Sequence, residues 1–410
     1  MISLIARLDE VESSLTLTKR TAVTRADKFR VELLSDEAAA DHVDAWRDLA
    51  ADPLEPNGFF EPGFALAAAR YLEGGRPQFL FVWAGAKLVG LCPLQLPGRS
   101  LPWSQLRVFT HPQIALGAPL LDRARAAEAL AAILTYCRER LPHHGGLMIP
   151  LLPQAGPTAR LLSAAAKAEG REIRRFAAYE RPILSAGVDP AAHSQRALNA
   201  GRRQKLNKAL RRLGALGAVG FQLLAESEDL DVAAEEFLAL EAKGWKGRRG
   251  TALLNSPERA AFARASIAAL AAEAKLRIGR LTCGGIPVAM ALVLKSGGQA
   301  FYWKMAHDED YALYSPGVLM SIELTRALLS DAGIAMTDSC AGPDQMIGHL
   351  WKGRVTVADF FVAIDTDRRR FLVSVAVESA RRALRGRLKS IVQMLRRIKA
   401  ATRKRPPRTP

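Results

Sequence analysis

Four cysteines in 410 residues, Cys92, Cys137, Cys283 and Cys340, stand far apart. Their spacing holds no metal-type pair and no disulfide framework, so no metal is expected and a reducing compartment fits. No apolar run reaches the roughly 18 uninterrupted residues of a spanning helix, although 49% of the chain is hydrophobic. No secretory leader is legible, because Met1 to Arg20 mixes Asp9, Glu10 and Glu12 with short apolar runs. A cytoplasmic protein is expected. The P-loop order of glycines, lysine and hydroxyl is missing, which excludes that form of phosphate cradle. Acid is scarce at one end. From Asp367 to Pro410 fifteen Lys and Arg meet only Asp367 and Glu378, so this tail holds most of the net charge of +17. No nucleic-acid recognition motif accompanies the basic residues, and nucleic acid is not expected as a partner.

What is present is enough chain for two or three cores. Val31–Leu34 reads as a strand and Asp36–Ala50 as a helix, with Ser35 or Asp36 as cap and Val43, Trp46 and Leu49 on one face. Phe59, Phe60 and Phe64 read as core anchors after a turn at Asn57-Gly58. A hairpin follows, Phe79–Trp83 and Leu88–Leu94 about the turn Ala84-Gly85-Ala86-Lys87, then a strand, an Ala-rich helix over Arg123–Arg140 and the strand Gly146–Leu151. The same order recurs later. Leu276–Leu281 and Pro287–Leu294 flank Gly284-Gly285, and a strand, a helix and a strand follow between Gln299 and Cys340. The chain thus reads as a duplicated α/β unit. The halves span 30–185 and 215–366, with a lead over 1–29, a basic connecting helix over 186–214 and a basic amphipathic tail over 367–410.

The stretch 299–340 carries the chemistry. Tyr314-Ser315-Pro316-Gly317 opens a helix, with Ser315 as N-cap and Pro316 at the first turn. Free N–H groups at such a start, with the positive dipole end, suit a pyrophosphate. The corresponding first-half stretch, Thr110-His111-Pro112-Gln113, has no comparable helix opening, so the site belongs to the second half. His111, His143 and His144 lie near Pro and Gly and read as exposed loop residues.

Several runs together resemble the GNAT acyltransferases of the BioF2-like or cellulose-biosynthesis-associated (CelD-like) families. They are Lys243-Gly244-Trp245-Lys246, Gly250-Thr251-Ala252-Leu253, Tyr314-Ser315-Pro316-Gly317, Asp338-Ser339-Cys340-Ala341 and His349-Leu350-Trp351. The resemblance covers residues 30 to 365. It implies a tandem GNAT-like α/β fold, here with a basic C-terminal helix, and acetyl-CoA or another acyl-CoA as co-substrate. Cofactor contacts are then expected from Tyr302, Trp303, Tyr314, Ser315, Pro316, Gly317 and Val318, and acceptor contacts from Glu241, Trp245, Lys246 and Lys304. Asp338 at a strand end and His349 eleven residues on are the expected catalytic pair, with Glu241, Tyr302 and Tyr314 as other proton acceptors. Asp338 also reads as a turn cap, His349 as half-buried packing and Cys340 as a buried small residue. The implied acceptor is an amine or hydroxyl of a small metabolite or saccharide precursor, with a link to exopolysaccharide or cellulose synthesis. A Fem-like transferase using aminoacyl-tRNA and a non-catalytic scaffold are the alternatives.

Two basic segments flank the second half. Arg196, Arg202, Arg203, Lys205, Lys208, Arg211 and Arg212 lie beside Leu198, Leu206, Leu210 and Leu213 between the halves. In the tail, Leu384, Leu388, Ile391, Val392, Leu395 and Ile398 alternate with Lys and Arg, which suits an anionic partner or peripheral attachment at the inner membrane face.

Overall fold

The computed structural model describes residues 21–26, 29–74, 76–97, 104–142, 144–225, 227–342, 345–365 and 367–403. Most of the expected lead, with His143, Pro343 and the end of the tail, lies outside the described residues.

The first half begins with β1 (Thr21–Ala26) and β2 (Phe29–Leu34). The Ser35 hydroxyl then accepts the Ala38 N–H and starts α1 (Asp36–Ala40). A break at Asp41–His42 separates α1 from α2 (Val43–Ala51), where one helix was expected. After α3 (Pro62–Tyr71) come the hairpin strands β3 (Gln78–Ala84) and β4 (Lys87–Gln95). Gly85 turns this hairpin with φ of 64°, a left-handed value that glycine adopts freely. Next are β5 (Leu106–Val108), β6 (Leu120–Leu121), α4 (Ala126–Arg140), β7 (Leu147–Pro153), α5 (Pro157–Ala168) and β8 (Ile173–Ser185).

The basic connection forms two helices, α6 (Pro190–Ala197) and α7 (Ala200–Gly214). Asn199 divides them, because its side chain accepts the Arg202 N–H at 2.9 Å and caps α7. The second half repeats the order. It contains β9 (Val219–Leu224), α8 (Ser227–Lys243), the short α9 (Trp245–Arg248) and α10 (Pro257–Ala272). The strands β10 (Leu276–Cys283), β11 (Ile286–Ser296) and β12 (Gln299–His307) follow, then α11 (Pro316–Ser330), β13 (Met336–Asp338), α12 (Ile347–Leu350) and β14 (Gly353–Val362). The tail is one long helix, α13 (Arg368–Arg403).

All the strands join one sheet, in the order β1-β2-β3-β4-β5-β7-β14-β8-β13-β12-β11-β10-β9, with β6 beside β4. This order shows how the halves are joined. β8 leaves the first half and pairs with β13, while β14 leaves the second half and pairs with β7. β8 and β14 also pair with each other along most of their length. Each half therefore donates its last strand to the other. The expected spans 30–185 and 215–366 describe sequence repeats, whereas each structural half contains a strand from the other span.

One core cluster runs across both halves, and consecutive β3 residues Phe79 to Trp83 all belong to it, so it packs on both faces of the sheet there. Phe59, Phe60 and Phe64 are fully buried in it, as expected. Phe59 meets Phe301 of β12 with centroids 5.6 Å apart, and Phe64 meets Trp303 at 5.2 Å. First-half aromatics thus brace the second-half strand that borders the site.

Candidate active site

β12 and β13 are parallel neighbours for only three pairs, Gln299–Met336, Ala300–Thr337 and Phe301–Asp338. β13 ends there and β12 continues to His307. Beyond the last pair the two chains separate, and a cavity of about 460 Å³ opens between them. Tyr302–His307 form one wall and Ser339–Gly342 with Met346 and Ile347 form the other. Glu241, Gly244, Trp245 and Lys246, from the end of α8 and the start of α9, close a third side. β12 also carries a bulge here. Leu292 faces Lys304 but Val293 faces Tyr302, so Trp303 is the extra residue.

The floor holds a buried charge cluster. Glu241 is only 2% exposed. Its Oε1 accepts Lys246 Nζ at 2.8 Å and lies 3.6 Å from Lys304 Nζ, and its Oε2 accepts the Leu253 N–H at 2.9 Å. Burial opposes the Glu241 charge, yet Lys304 and Lys246 outweigh it and hold the carboxyl below its usual range. Burial acts the other way on Lys304. With Lys246 and Arg259 nearby, it pulls the ammonium down to about 8 against the attraction of Glu241. Lys304 also lies over the Trp303 ring, 5.5 Å from its centre. Trp245 is exposed at the rim under the Arg249 guanidinium. Tyr302 is buried with its hydroxyl 3.5 Å from Ser321, and burial pushes it up to about 12. A phenol so placed stays protonated.

The expected catalytic pair is not brought together. The Asp338 carboxylate meets Arg181 at 3.1 Å and accepts the Cys340 N–H at 2.7 Å. His349 is exposed on α12 and does not line the cavity. The turn-cap reading fits Asp338, since its bond holds Cys340 at φ of 53°. Cys340 is half-buried at the cavity wall, and burial with Asp338 nearby pushes its thiol upward, away from the nucleophilic form. Arg181 was not singled out from sequence. It comes from the exchanged strand β8, is 1% exposed, and also donates to Ala115 O at 2.8 Å and Tyr179 Oη at 2.8 Å. Its strand also carries Arg174, Arg175 and Glu180, so no local signal set Arg181 apart.

The helix start lies beside the cavity rather than in its lining. Ser315 is not a side-chain cap. It sits at φ of 53° and its hydroxyl makes no capping bond. Pro316 has no N–H, and Val318 and Leu319 both donate to Ser315 O, at 3.0 and 3.1 Å. Gly317 is the residue of this turn whose N–H finds no acceptor among the described residues. A Cβ on Gly317 would stand 3.2 Å from Met305 Cε and 3.4 Å from His307 Nδ1, so the turn abuts two cavity-lining side chains. His144 corrects another expectation. It is 5% exposed, with Nδ1 2.7 Å from the Ser104 hydroxyl.

Comparison with known proteins agrees with this geometry. Residues 200–352 match the acetyltransferase (GNAT) domain family. The match covers 153 of the 410 residues and is a likeness to that domain over this stretch. It spans β9, the divergent pair β12 and β13, and α11, and the protein is an acyltransferase. No curated protein matches the chain. Among solved structures, FemX superposes with a TM-score of 0.50 at 13% identity, covering 87% of this chain and 100% of that one, which concerns the fold alone. The C-terminal domain of a putative lysylphosphatidylglycerol synthetase from Agrobacterium fabrum gives 0.48 at 14%, covering 82% and 96%. A tandem GNAT protein from the clavulanic acid pathway gives 0.43 at 16%, covering 82% and 98%.

A GNAT domain implies an acyl-CoA co-substrate. The chain has features that suit it, namely an open strand edge along a cavity and an uncapped helix start beside it. No group of His, Cys, Asp and Glu suited to a metal occurs among the described residues.

Proposed function

We propose that the acetyltransferase moves an acyl group, acetyl in the simplest case, from coenzyme A to an amine or hydroxyl held in the cavity between β12 and β13. The observation that carries this reading is the three-residue pairing of those strands, followed by a cavity that collects Glu241, Lys246 and Lys304. A bound thioester would supply the acyl carbon. Residues Tyr302 to Lys304 are positioned to align it along the open edge of β12, where a backbone N–H at the Trp303 bulge can face the carbonyl oxygen. Gly317 and the dipole of α11 would hold the diphosphate. Lys304, poised near 8, takes the acceptor's proton in its neutral form and, as the C–S bond breaks, returns it to the leaving coenzyme A thiolate. Glu241 and Lys246 keep that amine in place and balance the charge it gains. Asp338 works with Arg181 to shape the wall rather than to move protons. The sequence resemblance supports a saccharide-precursor acceptor.

The test is calorimetric titration with acetyl-CoA, followed by acyl transfer to a panel of amino sugars and small amines. One CoA bound per chain, lost in Gly317→Glu, is expected. A chain that takes up no acyl-CoA overturns the reading. A second reading, aminoacyl-tRNA as donor, is favoured by one observation: the seven Lys and Arg of α6 and α7 pair with no carboxylate among the described residues. Stabilisation by charged tRNA and none by CoA would select it.

A further inference from the structure

The tail helix α13 changes character along its length. Its first turns are anchored. Phe371 stacks on Phe361 with ring centres 5.0 Å apart, and the buried Glu378 accepts from Gln105, Arg381 and Arg382, while Arg382 also reaches Asp359 at 2.7 Å. Beyond Arg382 no ion pair or hydrogen bond ties the described residues of α13 to the body. There Leu384, Leu388 and Met394 are 59%, 53% and 64% exposed, and Arg385 and Arg387 pair with no carboxylate among the described residues. Val373 and Val377, also exposed, put the same apolar stripe on the outer side of the anchored turns. In sequence the spacing continues through Ile391, Leu395 and Ile398. From Arg385 to Pro410 there are ten Lys and Arg and no acid.

We infer that the outer part of α13 is a membrane-surface helix that seats the enzyme on a bilayer rich in anionic lipid. The stripe needs an apolar partner and its flanks need negative charge, and the head-group boundary of such a bilayer offers both. A second copy of the chain would match the stripe but would bring two acid-free basic flanks together. A nucleic acid would match the charge but leave Leu384 and Leu388 in water. The 36 residues of α13 extend about 54 Å at the usual helical rise, which gives the stripe the length to lie along a surface. No helix among the described residues is long and apolar enough to cross a membrane, so the contact is along the surface.

The test uses the full chain and sedimentation with vesicles of phosphatidylcholine alone or with about one-third phosphatidylglycerol, at about 0.1 M and 1 M salt. Binding to the anionic vesicles is expected to exceed binding to neutral ones by more than about tenfold, and to fall in high salt. Leu384→Glu with Leu388→Glu, and separately Arg385→Glu with Arg387→Glu, are each expected to release the protein while circular dichroism shows unchanged helix content. Equal binding to both vesicle types overturns the inference. So does binding that the leucine variants leave intact, or a dimer that they dissociate in the absence of lipid. The readout involves neither coenzyme A nor acyl transfer, so it stands or falls apart from the proposed reaction.

Discussion

The two halves contain the same parallel strand pair in two states, one filled and one open. In the first half β5 and β7 pair at Leu106–Leu147 and Arg107–Met148, and β5 then stops at Val108. The following chain fills the gap. An ideal Cβ on Gly117 would lie 2.2 Å from Pro150 O, so this strap presses directly on β7, and Asn57 holds it by donating to Leu116 O and Ala118 O. The approach to α4 is sealed as well, because the Asp122 carboxylate takes the N–H groups of Ala124 and Arg125 and the ammonium of Lys87. In the second half β12 continues past the last pair, no strap enters among the described residues, and α11 begins without a side-chain cap. One half has spent its anion seat and its strand gap on its own stability. The other leaves both open, where the proposed reaction would seat coenzyme A. The filled half still serves the open one, since Gln113 O accepts Trp303 Nε1 at 3.0 Å and Arg181 reaches Asp338.

The sharpest way to break this contrast is to close the open half. Gly317→Glu places bulk and negative charge at the helix start, and CoA affinity by calorimetry is expected to fall by about 100-fold or more. Unchanged affinity would mean that the diphosphate sits elsewhere. Next is the proton acceptor. Lys304→Met is expected to lower kcat by roughly 10²- to 10⁴-fold with little change in CoA affinity. In the parent enzyme kcat/KM should rise with pH and level off above about 8, since the Lys304 amine is charged below that pH and neutral above it. A rate that instead falls through pH 8 would assign Lys304 to the ammonium form, holding the oxyanion.

A third change tests the link between the halves. Arg181→Met leaves Asp338 buried without its partner and is expected to cost about 3–5 kcal/mol in denaturant unfolding. No loss would show that the strand exchange does not depend on this pair. The smallest effect is expected in the sealed half. Asp122→Ala removes a carboxylate from two backbone N–H groups and should cost about 1 kcal/mol. CoA stoichiometry should stay at one per chain. A second CoA bound by this variant would show that Asp122 alone had closed the first half.

Local order was readable because it rests on local chemistry. Gly85 and the pair Gly284-Gly285, all at positive φ, mark both hairpin turns. Alternation and Ala-rich runs mark the strands and helices on either side, and the doubling of that order needed no long-range knowledge. The acceptor-side residues Glu241, Trp245, Lys246 and Lys304 were also singled out, and they do line one cavity. The Asp338–His349 pair was not legible in the same way. Eleven residues of separation can close a turn, but the choice between His349 and Arg181 for Asp338 depends on which strand lies next to β13.

By itself, then, the sequence determined the repeated unit, its turns, the Pro-Gly start of α11 and the acid-free tail, each a property of neighbours along the chain. The tertiary structure decided which strand each half lends to the other, which gap is filled, and how far Lys304 is drawn from its ordinary protonation. Those outcomes depend on burial and on charges brought together from residues such as Glu241 and Lys304, 63 positions apart in the chain, and no local pattern records them.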